Sequence, residues 1–207
     1  MRQLTSFTLG AALAVGLALG AYAEDAGDVY TLDVCPVAGQ KLGSMGDPVV
    51  YDHEGREIRF CCAGCIGSFE DNPEEYIAEI DEKMTGRQKP HYPVETCINM
   101  GDELTGDNTV SFVHNNRLFL VCCSSCVNAI KSEPAGHFAK LDEAVAEAQS
   151  GEYPLDTCVV SGQELDSMGG PVNYVMGNRL VKLCCAGCVN ALEEDPAGHL
   201  AKIDEAG

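Results

Sequence analysis

The twelve cysteines of this 207-residue chain fall into three sets with one spacing. Each set has a lone upstream cysteine, then two adjacent cysteines 25 or 26 residues later, then a last cysteine three residues after that pair. The sets are Cys35, Cys61, Cys62 and Cys65; Cys97, Cys122, Cys123 and Cys126; and Cys158, Cys184, Cys185 and Cys188. Thiolates are preferred ligands of zinc and copper(I). The repeat therefore predicts three metal sites.

A hairpin must carry the adjacent cysteines to each site. In the first repeat, the apolar stretches 49–51 and 58–60 flank the polar, glycine-containing stretch 52–55. This pattern predicts two antiparallel strands joined by a turn that ends just before the adjacent cysteines. Residues 114–116 and 176–178 provide the corresponding turns in the other two repeats.

Two helices should follow each hairpin. Ile66 and Phe69 are an apolar pair at helical spacing directly after the first cysteine cluster. Pro73 ends that helix and suits the first turn of another, which carries Ile77 and Ile80. The other repeats have the same pattern. The predicted fold is α+β, with three small tandem zinc-finger-like modules, each a β-hairpin followed by two short helices.

The repeats also predict the division of the chain. Gly86 and Pro90 indicate a mobile linker after the first module, whereas the second linker continues a helical pattern and predicts a stiffer joint. The predicted segments are a signal peptide at 1–23, a flexible lead at 24–29, module 1 at 30–82, a linker at 83–91, module 2 at 92–144, a linker at 145–152 and module 3 at 153–207.

The first residues have the features of an export signal. Arg2 precedes an apolar stretch at 7–22, residues 21–23 match a small-x-small cleavage pattern, and Glu24 begins an acidic stretch. We predict cleavage before Glu24 and a periplasmic or secreted location. The apolar stretch is short for a membrane span, so no membrane association is expected after cleavage.

The formal net charge of −19 limits the classes of partner. A strongly acidic chain repels nucleic acids and anionic membranes, and it attracts cations. The expected partners are metal ions and a metal-transport or metal-receiving protein, with no nucleic acid. The acidic residues are scattered along the predicted helices, which is typical of a solvated surface.

The adjacent cysteines cannot both face one ion if the strand continues through them, because consecutive side chains of a strand point to opposite faces. Ile58 and Phe60 lie on the apolar face, and this alternation places Cys62, with Cys65, on the inner side. Either three thiolates bind the ion while the fourth lies beside it or transfers it, or all four bind.

Other uses of these thiols remain open. Four cysteines per module in an exported chain could instead form structural zinc sites or two disulfides that support a structural, protein-binding module. A third alternative is a thiol oxidoreductase that uses Cys62 and Cys65. No serine or carboxylate recurs beside a base at useful spacing, so we expect no enzymatic activity.

The pattern resembles the YHS and TRASH group of small heavy-metal-binding domains. The match lies in residues 35–39, 60–65 and 69–76 and returns in all three repeats. The resemblance implies a treble-clef-like fold and a role in metal sensing, trafficking or resistance. It also implies three ligands per module, namely Cys35, Cys61 and Cys65; Cys97, Cys122 and Cys126; and Cys158, Cys184 and Cys188.

Overall fold

The computed structural model describes residues 27–207, and the predicted signal peptide lies outside this part of the chain. Each module is a two-stranded antiparallel hairpin followed by two helices, which confirms the predicted α+β architecture. The elements are β1 (Val49–His53), β2 (Arg56–Phe60), α1 (Gly64–Asp71), α2 (Pro73–Gln88), β3 (Val110–His114), β4 (Arg117–Val121), α3 (Ser124–Ser132), α4 (Pro134–Gln149), β5 (Val172–Met176), β6 (Arg179–Leu183), α5 (Val189–Glu194) and α6 (Pro196–Ala206).

Each hairpin closes through a two-residue turn with positive φ angles at both positions. In module 1 these are Glu54 at 54° and Gly55 at 84°. Both angles are those of a type I′ turn, whose twist matches that of the paired strands. Asn115, Asn116, Gly177 and Asn178 adopt the same conformation in the other two modules.

The second helix of each module begins at a proline. The residue before it, Asn72 in module 1, has a non-helical backbone, as expected before proline, and it ends the first helix. Phe60 and Phe69 pack between hairpin and helices in the core of module 1, with ring centroids 5.5 Å apart. The inner cysteines of each module are part of these small cores.

The predicted linker at 83–91 is helical. Helix α2 continues to Gln88 and is followed by a 3-10 turn at Lys89–His91. Met84 and Gln88 hold this end of the helix, since both are buried. The mobility predicted from Gly86 and Pro90 is therefore overridden by packing. Helix α4 continues to Gln149, as the helical pattern of the second linker predicts.

One glutamine at the end of each of these helices joins consecutive modules. The side-chain amide of Gln88 donates to the carbonyl of Asn116, and its side-chain oxygen accepts from the backbone of Leu118, both at 2.7 Å. Gln149 binds the carbonyl of Asn178 at 2.9 Å and the amide of Leu180 at 2.8 Å. Both joints thus use equivalent atoms.

An asparagine in each receiving hairpin strengthens the same joint. The amide of Asn116 donates to the carbonyl of Glu57 in module 1 at 2.8 Å. The amide of Asn178 donates to the carbonyl of Leu118 in module 2 at 3.0 Å. Glu57 and Leu118 occupy equivalent strand positions, so module 3 lies on module 2 as module 2 lies on module 1.

We expect Gln88→Ala to lower the free energy of unfolding by about 1–3 kcal/mol, because it leaves a buried carbonyl and a buried amide unpaired. Urea unfolding of the metal-loaded chain measures this loss. Gln40→Ala is the matched control, since the Gln40 side chain is exposed. Equal stabilities of the two variants would contradict the assigned role of the joint.

Asp28 connects the start of module 1 to both other modules. Its carboxylate accepts from Arg117 at 2.5 and 2.7 Å and from the amide of Gly177 at 2.6 Å. Its own amide donates to the carbonyl of Asn115 at 2.8 Å. We predicted 24–29 to be a flexible lead. Of these residues the structure describes 27–29, and Asp28 is held by contacts with residues more than 80 positions away.

Arg117 is the centre of this network. Its side chain is 1% exposed, pairs also with Asp142 at 2.7 Å and lies 5.3 Å from the ring centre of Phe138. Burial lowers the pKa of Arg117, but the two carboxylates outweigh burial and raise it above its ordinary value. Burial raises the pKa of Asp142, and Arg117 offsets this only in part. Burial and charge therefore act in opposite directions at this ion pair.

Module 1 also contacts module 3 directly. The guanidinium of Arg59 donates to the carbonyl of Glu194 at 2.9 Å and to that of Glu193 at 2.6 Å, at the end of helix α5. Arg59 is buried by this contact, although strand alternation places it on the polar face. All three modules therefore contact one another. None of the helices in 27–207 is long and apolar enough to cross a membrane.

Candidate metal centres

Three cysteines of each module bring their sulfur atoms within 4.8 Å of one another. We call each such group a thiol triad. One member lies in a turn before the hairpin, one directly after the second strand and one at the start of the following helix. The triads are Cys35, Cys61 and Cys65; Cys97, Cys122 and Cys126; and Cys158, Cys184 and Cys188.

The turn that holds the upstream cysteine is closed by two backbone hydrogen bonds. The carbonyl of Cys35 accepts from Gly39 at 2.9 Å, and its amide donates to Gln40 at 2.8 Å. Gly39 has a φ of 65°, which favours glycine. The same two bonds form around Cys97 and Cys158. The turn therefore does not require the proline that follows Cys35.

Backbone amides stabilise the upstream thiolate. The amide of Ala38 lies 3.5 Å from the sulfur of Cys35. Burial raises the pKa of Cys35, but amide hydrogen bonds outweigh it and lower the pKa below its ordinary value. At Cys97 amide hydrogen bonds also outweigh burial and lower the pKa. At Cys158 the amide and hydroxyl of Ser161 outweigh burial and lower the pKa to about 6.

The end of the second strand decides which adjacent cysteine faces inward. Strand β2 ends at Phe60, and the backbone bends through Cys61 and Cys62. Cys61 is consequently 2% exposed and joins the triad, while Cys62 is only half-buried. Alternation had placed Cys62 inside, which is wrong because the strand does not reach it. The resemblance gave the spacing that the triads have.

One pair of sulfurs in each triad has the separation that a thiolate-bound ion requires. Zinc–sulfur bonds of about 2.3 Å in a tetrahedral site require sulfur atoms about 3.8 Å apart. The sulfur of the first adjacent cysteine and that of the last cysteine are 3.8 Å apart in module 1, 3.7 Å in module 2 and 3.8 Å in module 3. All twelve cysteines, every one within 27–207, are free thiols.

The second adjacent cysteine of each pair stands on the outer side of its triad, and we call it the outer thiol. Its sulfur lies 3.9 Å from the last cysteine in module 1, 3.5 Å in module 2 and 3.8 Å in module 3. It is exposed in module 2 and half-buried in the other two. The outer thiols are Cys62, Cys123 and Cys185.

The pKa values of the last cysteine and of the outer thiol are shifted in opposite directions. Burial, followed by neighbouring sulfurs, raises the pKa of Cys65 to about 12 and that of Cys188 to about 12. The amide of Gly64, followed by Cys65, lowers the pKa of Cys62. Helix-start amides stabilise a thiolate in this way. In a triad without metal, the last cysteine of modules 1 and 3 therefore keeps its proton at neutral pH.

Metal affinity should consequently rise with pH. Burial raises the pKa of both Cys61 and Cys65, so both thiols are protonated at pH 7 and must lose those protons to bind an ion. Between pH 6 and 8 we expect the apparent association constant of module 1 to increase by roughly two to three log units per pH unit, the third proton being that of Cys35. Competition with a chromophoric chelator, corrected for its own protonation, measures this slope. A pH-independent constant would contradict the assignment.

The surroundings of the three triads differ. A carboxylate oxygen of Asp102 lies 3.6 Å from the sulfur of Cys122, whereas Gln40 and Gln163 occupy the equivalent positions. The hydroxyl of Ser161 lies 3.3 Å from the sulfur of Cys184. Within residues 27–207, the hydrogen bonds thus place a carboxylate oxygen beside the triad of module 2 and beside neither of the others. A comparison of the residues five positions after each upstream cysteine could have revealed this difference in the sequence.

The ion pairs between arginine and aspartate were not predicted, although the sequence contains a pattern that indicates them. Arginine begins the second strand of each module, and an aspartate follows 25 residues later in all three. Arg56 pairs with Asp81 at 2.7 Å, and the Arg117 and Arg179 pairs are equivalent to it. No protein-family model, curated protein or solved structure matches the chain.

Proposed function

We propose that the chain is an exported metal-binding protein in which each module holds one soft or borderline ion, zinc or copper(I), through cysteine thiolates. It buffers or sequesters these ions or hands them on, and it has no catalytic role. The observation that carries the proposal is the thiol triad, formed three times from the same turn, strand end and helix start. The part of the proposal that concerns export rests on residues 1–23, which lie outside the described residues.

The size of the modules supports bound metal. A unit of about 50 residues buries little apolar surface, and domains this small usually need a metal ion or disulfides. A thiolate-bound ion supplies roughly 10 kcal/mol or more of apparent folding free energy. Membership of the YHS and TRASH group is part of the proposal, and the arrangement of the triads on a hairpin and a helix supports it.

Mass spectrometry of the intact chain under non-denaturing conditions, with reductant present, tests the proposal. We expect up to three ions per chain, and X-ray absorption at the metal edge should show a shell dominated by sulfur. A reduced, folded chain that neither retains nor takes up zinc or copper(I) would overturn the proposal. An ion bound only through oxygen and nitrogen would also overturn it.

Burial of the triads favours a second candidate function. Upstream cysteines that are 0–1% exposed would suit a permanent structural ion, with the acidic surface binding a protein partner. Exchange kinetics separate the two candidates. Rapid loss of the ions to a competing chelator without unfolding supports buffering, whereas ions that leave only when the chain unfolds support the structural role.

A further inference from the structure

We propose that the outer thiols, Cys62, Cys123 and Cys185, are exchange ligands through which each triad receives its ion from, or passes it to, a thiol-bearing partner. This inference rests on the proposed function and deepens it. It assigns different roles to two adjacent cysteines, one that holds the ion and one that moves it. It also names the chemistry of the partner, which must offer a thiolate.

The first step of the argument is access. In module 1 the triad residues Cys35, Cys61 and Cys65 are 0%, 2% and 7% exposed. Cys61 and Cys65 pack in the core of the module with Phe60 and Phe69. Cys62, which is half-buried, is therefore the cysteine of module 1 most open to an incoming ligand.

The second step is distance. The sulfur of Cys62 lies 3.9 Å from that of Cys65, and the equivalent pairs in the other modules are 3.5 and 3.8 Å apart. Two sulfurs bound to one zinc ion are about 3.8 Å apart. An outer thiol and the last cysteine can therefore share an ion without moving the backbone. The outer thiol is nevertheless not a member of the triad.

The third step is the open approach to the outer thiol. Glycine stands two residues after it in modules 1 and 3, at the start of the helical segment. A Cβ added at Gly64 would meet the sulfur of Cys62 at 3.8 Å, and one at Gly187 would meet that of Cys185 at 3.7 Å. Because glycine has no side chain, neither residue covers the outer thiol beside it. In module 2 the position is Ser125, and Cys123 is the exposed outer thiol.

The exchange itself conserves charge and oxidation state. As the partner's sulfur–metal bond breaks, a bond forms between the ion and the outer thiol, whose proton passes to the departing partner thiolate. Bonds to the last cysteine and to the first adjacent cysteine then replace the remaining partner bonds, again with transfer of one proton each. Finally a bond to the upstream cysteine forms as the bond to the outer thiol breaks, and the proton of the upstream thiol passes to the outer thiolate. No electrons are transferred, so neither oxidant nor reductant is needed.

The test compares the metal-loaded full chain with the triple variant Cys62→Ser, Cys123→Ser and Cys185→Ser. Ions are passed to apo acceptors of two kinds, glutathione and a peptide with a Cys-x-x-Cys sequence. We expect the variant to retain three ions and to transfer them at least tenfold more slowly. If the triple variant slows transfer only to the peptide, the partner is a protein. If it slows transfer only to glutathione, the partner is a small thiol.

A second variant keeps every sulfur. Gly64→Leu and Gly187→Leu together place side chains beside two outer thiols, and we expect slower transfer from modules 1 and 3 with unchanged stoichiometry. A triple serine variant that loses its ions would show that the outer thiols are permanent ligands, which overturns the inference and leaves the proposed function intact. Transfer at the wild-type rate in both variants would also overturn the inference. A wild-type chain that binds no ion would instead contradict the proposed function.

Discussion

Arg117→Met is expected to lower the free energy of unfolding by about 3–5 kcal/mol, because it leaves the carboxylates of Asp28 and Asp142 buried without their partner. The Asp28 side chain is 6% exposed and that of Asp142 14% exposed, so water cannot fully replace the lost guanidinium. The variant also loses the contact with the Phe138 ring. Urea unfolding of the metal-loaded chain, followed by circular dichroism, measures the change.

Arg179→Met is the matched control, because Arg179 holds the equivalent position in module 3. Its partner Asp204 has a side chain that is 56% exposed, and an ion pair of this kind contributes only about 1 kcal/mol or less. The comparison separates the buried network of Arg117 from an exposed ion pair, since both variants remove the same group from the same place in the repeat. Similar losses in the two variants would show that the Asp28 network is not the reason for the effect.

Cys97→Ser is expected to reduce the number of bound ions from three to two. The substitution removes one sulfur of the triad in module 2 and replaces it with a poor ligand for soft ions. Loss of a residue that merely supports a ligand costs about 10–100-fold in metal affinity, so loss of a ligand should cost more. Mass spectrometry under non-denaturing conditions counts the ions, and competition titration gives the change in affinity.

Ser124→Ala provides the control for this substitution. Ser124 begins helix α3, beside the adjacent cysteines, but its side chain is exposed. The control should keep three ions and an unchanged affinity. If Cys97→Ser also keeps three ions with unchanged affinity, the upstream cysteine is not a ligand, and the role assigned to the triads fails.

The modules could be predicted from the sequence because their signals are local. The glycine and asparagine turns, the prolines at the start of the second helices and the cysteine spacing all act within a few residues. The identity of the inner adjacent cysteine could not be derived from strand alternation, since the strand ends at Phe60, one residue before the pair. The resemblance to the YHS and TRASH group implied the cysteine spacing that the triads have, whereas strand alternation did not.

The arrangement of the modules could not be predicted, because the contacts that fix it lie far apart in the chain. Gln88 binds residues about 30 positions ahead, and Asp28 binds Arg117 across 89 positions. An acidic residue before the first repeat looks like part of a solvated lead until its partner is known. The equal spacing of arginine and aspartate in all three modules is a signal for the ion pairs within the modules, but not for the contact with Asp28.

The contacts of Asp28 and Arg59 with module 3 change how the whole chain should unfold. In a linear array each repeat touches only its neighbours, so unfolding can begin at one end and spread. Here the first module also touches the last, which closes the array into a triangle. Opening any module breaks contacts of the other two. The three modules should therefore melt in one cooperative transition, and an ion gained at one site should stabilise all three.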